Sequence, residues 1–316
     1  MAILTKLEKE DFAKILENFS IGKYKSHKHI SWALGNTVYI LRTTRRKFIL
    51  KIYENSDPKF IDFQIKIMKL MEKEKLPSPK IMETTKGKSL LIFNNHRIVI
   101  QEFVEGREPK RFADDLIKDI AKKQGKMNNA LKRIKLQGKY TWGINYQFKP
   151  LDFDVSKYKD FDIIQENKKL RNDLKQIKKQ NLRRSVIHGD FHGANLLVEK
   201  NKLKAIIDWD DAHEDFIVQE VSNFIAHTFI EQTTIKKGQL KLYLKEYEKN
   251  LKLNKDEKEA IYFFIKHRWL GAISWHIVQL RQHKDRAKHI EKFINKTIVR
   301  YRNFSKIKVE NFLKLF

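Results

Sequence analysis

Between Thr37 and Tyr53 two runs rich in aromatic and β-branched residues, TVYILRT and KFILKIY, are separated by the polar stretch Thr43-Thr44-Arg45-Arg46, a pattern that predicts an antiparallel hairpin. In the second run Phe48, Leu50 and Ile52 fall on one face and Ile49, Lys51 and Tyr53 on the other, which leaves a lysine mid-strand among apolar neighbours. Asp57-Pro58 opens a helix predicted over residues 60–75, with Ile61, Ile65, Met68 and Met71 at helical spacing until Leu76-Pro77-Ser78-Pro79 stops it. Strand-like runs at residues 89–93 and 97–104 flank Asn94-Asn95-His96 and extend the same sheet, completing a β-β-α-β-β order.

After Glu105-Gly106 the pattern changes to long amphipathic helical text, as over residues 114–131, so the boundary between two lobes is placed at 1–104 and 105–316. The second lobe has one clear β segment: Val186-Ile187, then Leu196 to Val198, a polar turn at 199–202 and a return strand at 203–207. The most hydrophobic stretch, residues 260–278, carries Lys266, His267 and Arg268 at its centre, which predicts a core helix and not a membrane span. The N-terminus turns charged within six residues and does not read as a signal peptide, so a cytoplasmic location is expected.

Composition narrows the chemistry. Lys and Arg total 66 against 39 Asp and Glu, giving +27, a sign that favours anionic partners without choosing one. The densest basic run, residues 167–184, has an apolar stripe at Leu170, Leu174 and Ile177 but no interleaved aromatics; it reads as a solvated helix face, and no nucleic-acid partner is expected. The absence of cysteine excludes a disulfide framework, a Cys-ligated zinc site and thiol catalysis. Nothing in the sequence speaks to oligomeric state.

The strongest local signal is His188-Gly189-Asp190-Phe191-His192-Gly193-Ala194-Asn195, with Asp208 of IIDWDDA thirteen residues further on. The Asn amide oxygen and the Asp carboxylate are hard ligands suited to Mg²⁺, and Asp190, upstream on the loop, is free to accept a hydroxyl proton. Each residue alone more often marks a turn or cap; the set together points to chemistry. His188, Asp190 and His192 also resemble part of a metallohydrolase ligand set, but His213, His227, His267 and His276 do not complete it at a convincing spacing. Trp269 and Trp275, with Tyr262, Ile265, Ile273 and His276, lie at near-helical spacing and fit either an acceptor pocket or, more commonly, a packed core.

On HGDFHGAN, IIDWDDA, ILKIY and IVIQEFVEG, in this order over roughly residues 30 to 225, the chain resembles the aminoglycoside phosphotransferase-like kinases, a superfamily related to protein kinases that includes choline, homoserine and methylthioribose kinases. The resemblance implies an α+β bilobal protein-kinase-like fold, with an antiparallel-sheet nucleotide lobe and a mainly helical lobe carrying the catalytic loop and acceptor pocket. It implies ATP and Mg²⁺ as cofactors, Asp190 as catalytic base, Asn195 and Asp208 as metal ligands, and Lys51 on the α/β-phosphates. His188 would hold the catalytic loop. The main chain of Gln101 and Phe103 would read adenine, and Gly35 and Asn36, in the glycine-poor loop at 32–39, would offer N–H groups to phosphate.

The family places a helix glutamate opposite the strand lysine; here the positions are Asp62 and Gln64, and Gln64 would give a neutral hydrogen bond in place of an ion pair. Acidic residues beyond the metal-binding segment, Asp210, Asp211, Glu214 and Asp215, would face the acceptor and suit an amine, or would form a solvated loop. The expected reaction is phosphorylation of a small-molecule hydroxyl: an amino alcohol such as choline or homoserine, or an aminoglycoside or macrolide antibiotic. The +27 charge suits a polycationic aminoglycoside only if the local acidic cluster dominates. A protein kinase docking an acidic protein and a nucleotide-sensing pseudokinase are the alternatives.

Overall fold

A computed structural model describes residues 5–30, 35–54, 56–134, 160–282 and 284–316. The chain divides into two compact units, Met1–Arg107 with Lys204–Ile207, and Glu108–Leu203 with Asp208–Phe316. A single boundary at residue 104 does not contain the return of Lys204–Ile207 to the first unit. There Ile206 N–H donates to the Pro77 carbonyl at 3.0 Å.

Among the described residues the first unit is a five-stranded antiparallel sheet in the order β1-β2-β3-β5-β4, with two helices. The predicted hairpin is β2 (Thr37–Thr43) and β3 (Lys47–Tyr53), closed by the Thr43 hydroxyl, which accepts from the N–H groups of Arg45 (3.1 Å) and Arg46 (3.3 Å). β4 (Leu91–Phe93) and β5 (His96–Glu102) are joined by Asn94 and Asn95, both at positive φ, the backbone a two-residue hairpin turn requires. Helix α2 (Pro58–Lys73) is capped by Asp57, whose carboxylate accepts from Lys59 N–H at 2.8 Å, and it buries Ile61, Ile65, Met68 and Met71 as the spacing predicts.

Two elements of this unit have no clear signature in the sequence. β1 (Tyr24–His29) is YKSHKH, polar along its length, and exists because β2 offers it a partner edge. α1 (Lys9–Leu16) is short, starts with a reciprocal Glu8–Asp11 capping box, and buries Phe12, Ile15 and Leu16 against Phe48, Leu50 and Ile52. On the opposite sheet face Lys51 and Tyr53 are buried, while Val38, Ile40 and Ile49 are half-buried.

The second unit is mainly helical. α3 (Asp114–Leu131) packs with α6 (Lys237–Glu248), where Tyr243 donates to Gln124 at 2.7 Å and Asn128 donates to the Tyr247 hydroxyl at 2.9 Å. α4 (Ile163–Gln176) takes the first part of the basic run and buries Leu170 and Leu174; Ile177 lies just past its end, half-buried. α5 (Ile217–Thr228) packs on α7 (Lys255–Gln282), which contains the hydrophobic stretch with the central Lys-His-Arg, and α7 also carries α8 (Ala287–Ser305) and α9 (Val309–Leu313). Among the described residues no helix is long and apolar enough to cross a membrane.

The base of α7 shows how this unit tolerates buried charge. Glu257, fully buried, forms a capping box with Asn254 and accepts from Arg183 through both carboxylate oxygens, at 2.7 and 2.5 Å. Without Arg183, Glu257 would be left a desolvated charge, at a cost of several kcal/mol. Strands β6 (Arg184–Ile187) and β9 (His213–Phe216) pair antiparallel, and β7 (Leu196–Glu199) turns into β8 (Lys202–Ile206) through Lys200 and Asn201, both at positive φ.

Candidate active site

β6 delivers the chain to His188 and Gly189, and the loop beyond it is fixed from behind. Glu220 of α5, fully buried, accepts from His188 N–H at 2.8 Å and Gly189 N–H at 3.1 Å, while Asn223, one turn on, donates to the Gly189 carbonyl at 2.9 Å. Gly189 has φ +81°, and a Cβ there would run into the Asp211 carbonyl oxygen and the His213 ring. Glycine is required at that position on both grounds. His188 is fully buried, lies 4.6 Å from the Trp209 ring, and accepts from Asp190 N–H through Nδ1 at 3.3 Å, a structural placement.

Asp190 is the electrostatic centre of the loop. Arg268 of α7 donates Nη2 to its Oδ1; His192 Nε2 lies 3.1 Å from Oδ2, and Asn195 Nδ2 donates at 2.9 Å both to Oδ2 and to the Asp190 carbonyl. Burial opposes ionisation of Asp190, but the Arg268 guanidinium, then His192, outweigh it and hold the carboxyl well below the usual carboxylate range. Arg268 in turn donates Nε to His227 Nε2 at 3.1 Å, and the His192 and His227 rings stack at 4.8 Å. Burial, with Arg268 beside it, holds His227 well below the ordinary imidazole value, so it is a neutral acceptor for the guanidinium.

With its nitrogen turned to Asp190, the Asn195 amide has its oxygen left for a cation, as a metal ligand needs. Asp208 is exposed, at φ 63° in the left-handed region, where it starts the tight turn Trp209–Asp211. An amide oxygen and an exposed carboxylate are a donor set that fits Mg²⁺. Among the described residues no group of three or more His, Cys, Asp or Glu is placed to hold a metal ion, and His188 Nδ1 accepts from Asp190 N–H.

The acidic cluster after Asp208 separates into different environments. Asp210 and Asp211 are half-buried, and burial, with Asp190 nearby, pushes the Asp211 carboxyl up to about 6 against the pull of Arg268. Asp215, by contrast, is buried in β9 near Arg184 and His213, so it does not belong to an open acceptor-facing loop. Trp269 is 1% exposed and edge-on to Phe304, which corrects the acceptor-pocket role considered for it to a core role; Trp275, 38% exposed, lies on the outer part of the same helix.

In the first unit Lys51 lies in the β3 ladder opposite Val38 and Val99, its ammonium 4.9 Å over the Tyr53 ring. Tyr53 donates to Gln64 at 2.8 Å, so of the two helix candidates the buried Gln64 meets the lysine's aromatic neighbour while Asp62 is exposed. A Cβ on Gly35 would meet nothing within 4 Å among the described residues, and Asn36 is turned inward, accepting from Glu54 N–H at 3.2 Å. Trp32, Ala33 and Leu34 of the expected phosphate loop lie outside the described residues.

Ile100 and Glu102 direct their main chain to residues 80–82, so by strand alternation the Gln101 main chain faces Ile49 of β3 and is taken up in the ladder. This corrects the adenine-reading expectation for Gln101; Phe103 follows the last residue of β5, with Lys47 4.8 Å over its ring.

The sequence singled out Asp190, Asn195, Asp208 and Lys51 as candidates; Glu220, Asn223, His227 and Arg268, which the structure brings around the Asp190 loop, were not assigned to it. The one available signal was a charged Lys-His-Arg triplet inside the most apolar stretch of the chain, used there only against a membrane span.

A homoserine kinase of Zymomonas mobilis is 24% identical over 266 residues, covering 82% of this chain and 83% of the relative. A homoserine kinase of Rhodopseudomonas palustris is 30% identical over 112 residues, 35% of this chain and 34% of the relative. Among solved structures, amicoumacin kinase hAmiN in complex with AMP-PNP, Ca²⁺ and Ami superposes with a TM-score of 0.73 at 14% identity, covering 96% of this chain and 95% of that one. A microcompartment-associated aminopropanol kinase gives 0.73 at 14% identity, covering 96% and 98%. These likenesses establish the protein-kinase-like α+β fold. The profile of the phosphotransferase enzyme family known as APH matches residues 27–252, well over half of the sequence, and the chain belongs to that family of kinases.

Proposed function

We propose that the protein transfers the terminal phosphoryl group of ATP, in the presence of Mg²⁺, to the hydroxyl of a small amino alcohol. The observation that carries this reading is Asp190: an ionised, 23% exposed carboxylate on a braced loop, with the Asn195 amide nitrogen turned toward it. Asp190 orients the acceptor hydroxyl and takes its proton as the oxygen–phosphorus bond forms. Asn195 and Asp208 are the residues that would hold Mg²⁺, which supplies charge neutralisation at the phosphate oxygens when bound. Lys51 supplies a fixed cation for the α/β-phosphates, and the open space at Gly35 admits close approach of a phosphate to the backbone. Asp210 and Asp211 provide negative charge for an ammonium group on the acceptor. The homoserine kinase and aminopropanol kinase relatives are named for acceptors that carry an amine and a hydroxyl, and that chemistry suits these residues.

The test is ADP release from ATP with Mg²⁺ over a panel of homoserine, 3-aminopropan-1-ol, choline and an aminoglycoside. At least one amino alcohol is expected to raise turnover well above acceptor-free hydrolysis, and Asp190→Asn is expected to lower kcat about 10³-fold while ATP still binds. A panel in which no hydroxyl compound stimulates turnover, or an Asp190→Asn variant as fast as wild type, overturns the reading. Acceleration by an acidic protein alone would move the assignment to a protein kinase.

A further inference from the structure

The Arg268–Asp190 contact leaves one donor and one acceptor position open side by side. Arg268 uses Nη2 on Asp190 Oδ1 and Nε on His227 Nε2, and its Nη1 has no hydrogen-bond acceptor among the described residues. A carboxylate offers about four lone-pair positions. On Asp190, His192 and Asn195 occupy Oδ2 while Arg268 occupies one position on Oδ1. The position that remains is on Oδ1, the oxygen the guanidinium already touches. A hydroxyl that donates to Asp190 therefore arrives beside Arg268.

Arg268 is well set to hold a second anion. Its plane is fixed through Nε by His227, and it lies on a long helix packed against α5, with 23% of its side chain exposed. An acceptor with an anionic group a few bonds from its hydroxyl can place that group on Nη1 while the hydroxyl sits on Oδ1. The other charged groups facing this point are Asp211 and, next to it, Asp210, complementary to an ammonium on the same acceptor.

We propose that Arg268 is a specificity-determining residue that binds the carboxylate of the acceptor while it holds Asp190, so that the preferred acceptor is a hydroxy amino acid and not a bare amino alcohol. The proposal rests on Asp190 being the group that receives the acceptor hydroxyl. Guanidinium–carboxylate pairing explains why a protein would bring a strong cation against its own base: the cation aligns base and acceptor on one rigid fork.

The test uses the full-length protein, with ADP release at saturating ATP and Mg²⁺ and three acceptors: homoserine, homoserine amide, in which a carboxamide replaces the carboxylate, and 3-aminopropan-1-ol. Wild type is expected to favour homoserine over each of the others by about 100-fold in kcat/KM, since a site built to pair a charged group rejects the analogue that lacks it. In Arg268→Gln that preference is expected to shrink below about tenfold. The loss falls mainly on the KM for homoserine, and Arg268→Lys restores part of it. Equal loss on all three acceptors, with the preference unchanged, would show that Arg268 serves only Asp190 and overturns the proposal. The wild-type comparison needs no folded variant: acid and amide turned over equally well overturn it directly. A wild type that turns over none of the three overturns the kinase reading itself, and this proposal with it.

Discussion

Asp190 and Lys51 are the two charged side chains on which the proposed reaction depends most, and the two units of the chain hold them by opposite means. Asp190 is ringed by a guanidinium, an imidazole and an amide, on a loop whose backbone is gripped by Glu220, Asn223 and His188. Lys51 is placed by the ladder of a sheet: its ammonium lies over the Tyr53 ring, and the tyrosine hydroxyl goes to Gln64. In the first case position and ionisation are set together by a network in which each member needs the others. In the second, the backbone sets position, and a substitution at the helix disturbs little.

The largest effect is expected at the base of the catalytic loop. Gly189→Ala adds a Cβ at positive φ against the Asp211 carbonyl, and is expected to cost about 2–4 kcal/mol in denaturant unfolding and to lower phosphoryl transfer about 100-fold. A variant with normal stability and rate would show that the loop is not over-determined. Lys51→Met should raise the KM for ATP about tenfold or more, read by steady-state kinetics, while the melting temperature moves little, because the ladder and not the ammonium fixes the strand. A large loss of stability there would break the contrast between the units.

Glu220 supplies a pH signature in the second unit. Burial pushes its carboxyl up to about 7 from 4.5, against the hydrogen bonds it accepts from His188 and Gly189 N–H. The folded state thus binds this proton more tightly than the unfolded state. Its contribution to stability is complete below about pH 4.5 and is lost as pH rises through about 7, a change of about 3 kcal/mol. Glu220→Gln should flatten that part of the stability–pH curve measured by urea unfolding; an unchanged slope would assign it to other groups. The smallest effect is expected from Gln64→Glu, which keeps the acceptor for Tyr53 and adds a charge near Lys51: a change in ATP affinity within about threefold by titration calorimetry. A tenfold gain would mean that Lys51 is held more loosely than its ladder position suggests.

Much of the fold could be read from local text. The hairpin from Thr37 to Tyr53, α2 with its Asp57-Pro58 start, α3 over Asp114–Leu131 and the turn at Lys200-Asn201 follow from periodicity and turn chemistry, which act over a few residues. β1 and β9 did not show themselves, because YKSHKH and HEDF carry no apolar alternation and become strands only when β2 and β6 present their edges. In the site, Asp190, Asn195 and Asp208 stood out because they lie close together in a compact motif. Arg268 lies 78 residues from Asp190 and Glu220 lies 32 from His188, and no spacing rule connects them.

The sequence by itself determined the hairpin, most of the helices, which lysine sits within a strand, and which loop carries Asp190, since each of these depends on neighbours along the chain. Only the tertiary structure decided what surrounds that carboxylate. It brought an arginine from α7 and a glutamate and a histidine from α5 to one loop, and it turned Trp269 into core. Burial and charge pairing depend on distance in space, and the packing of α5 on α7 is what set those distances.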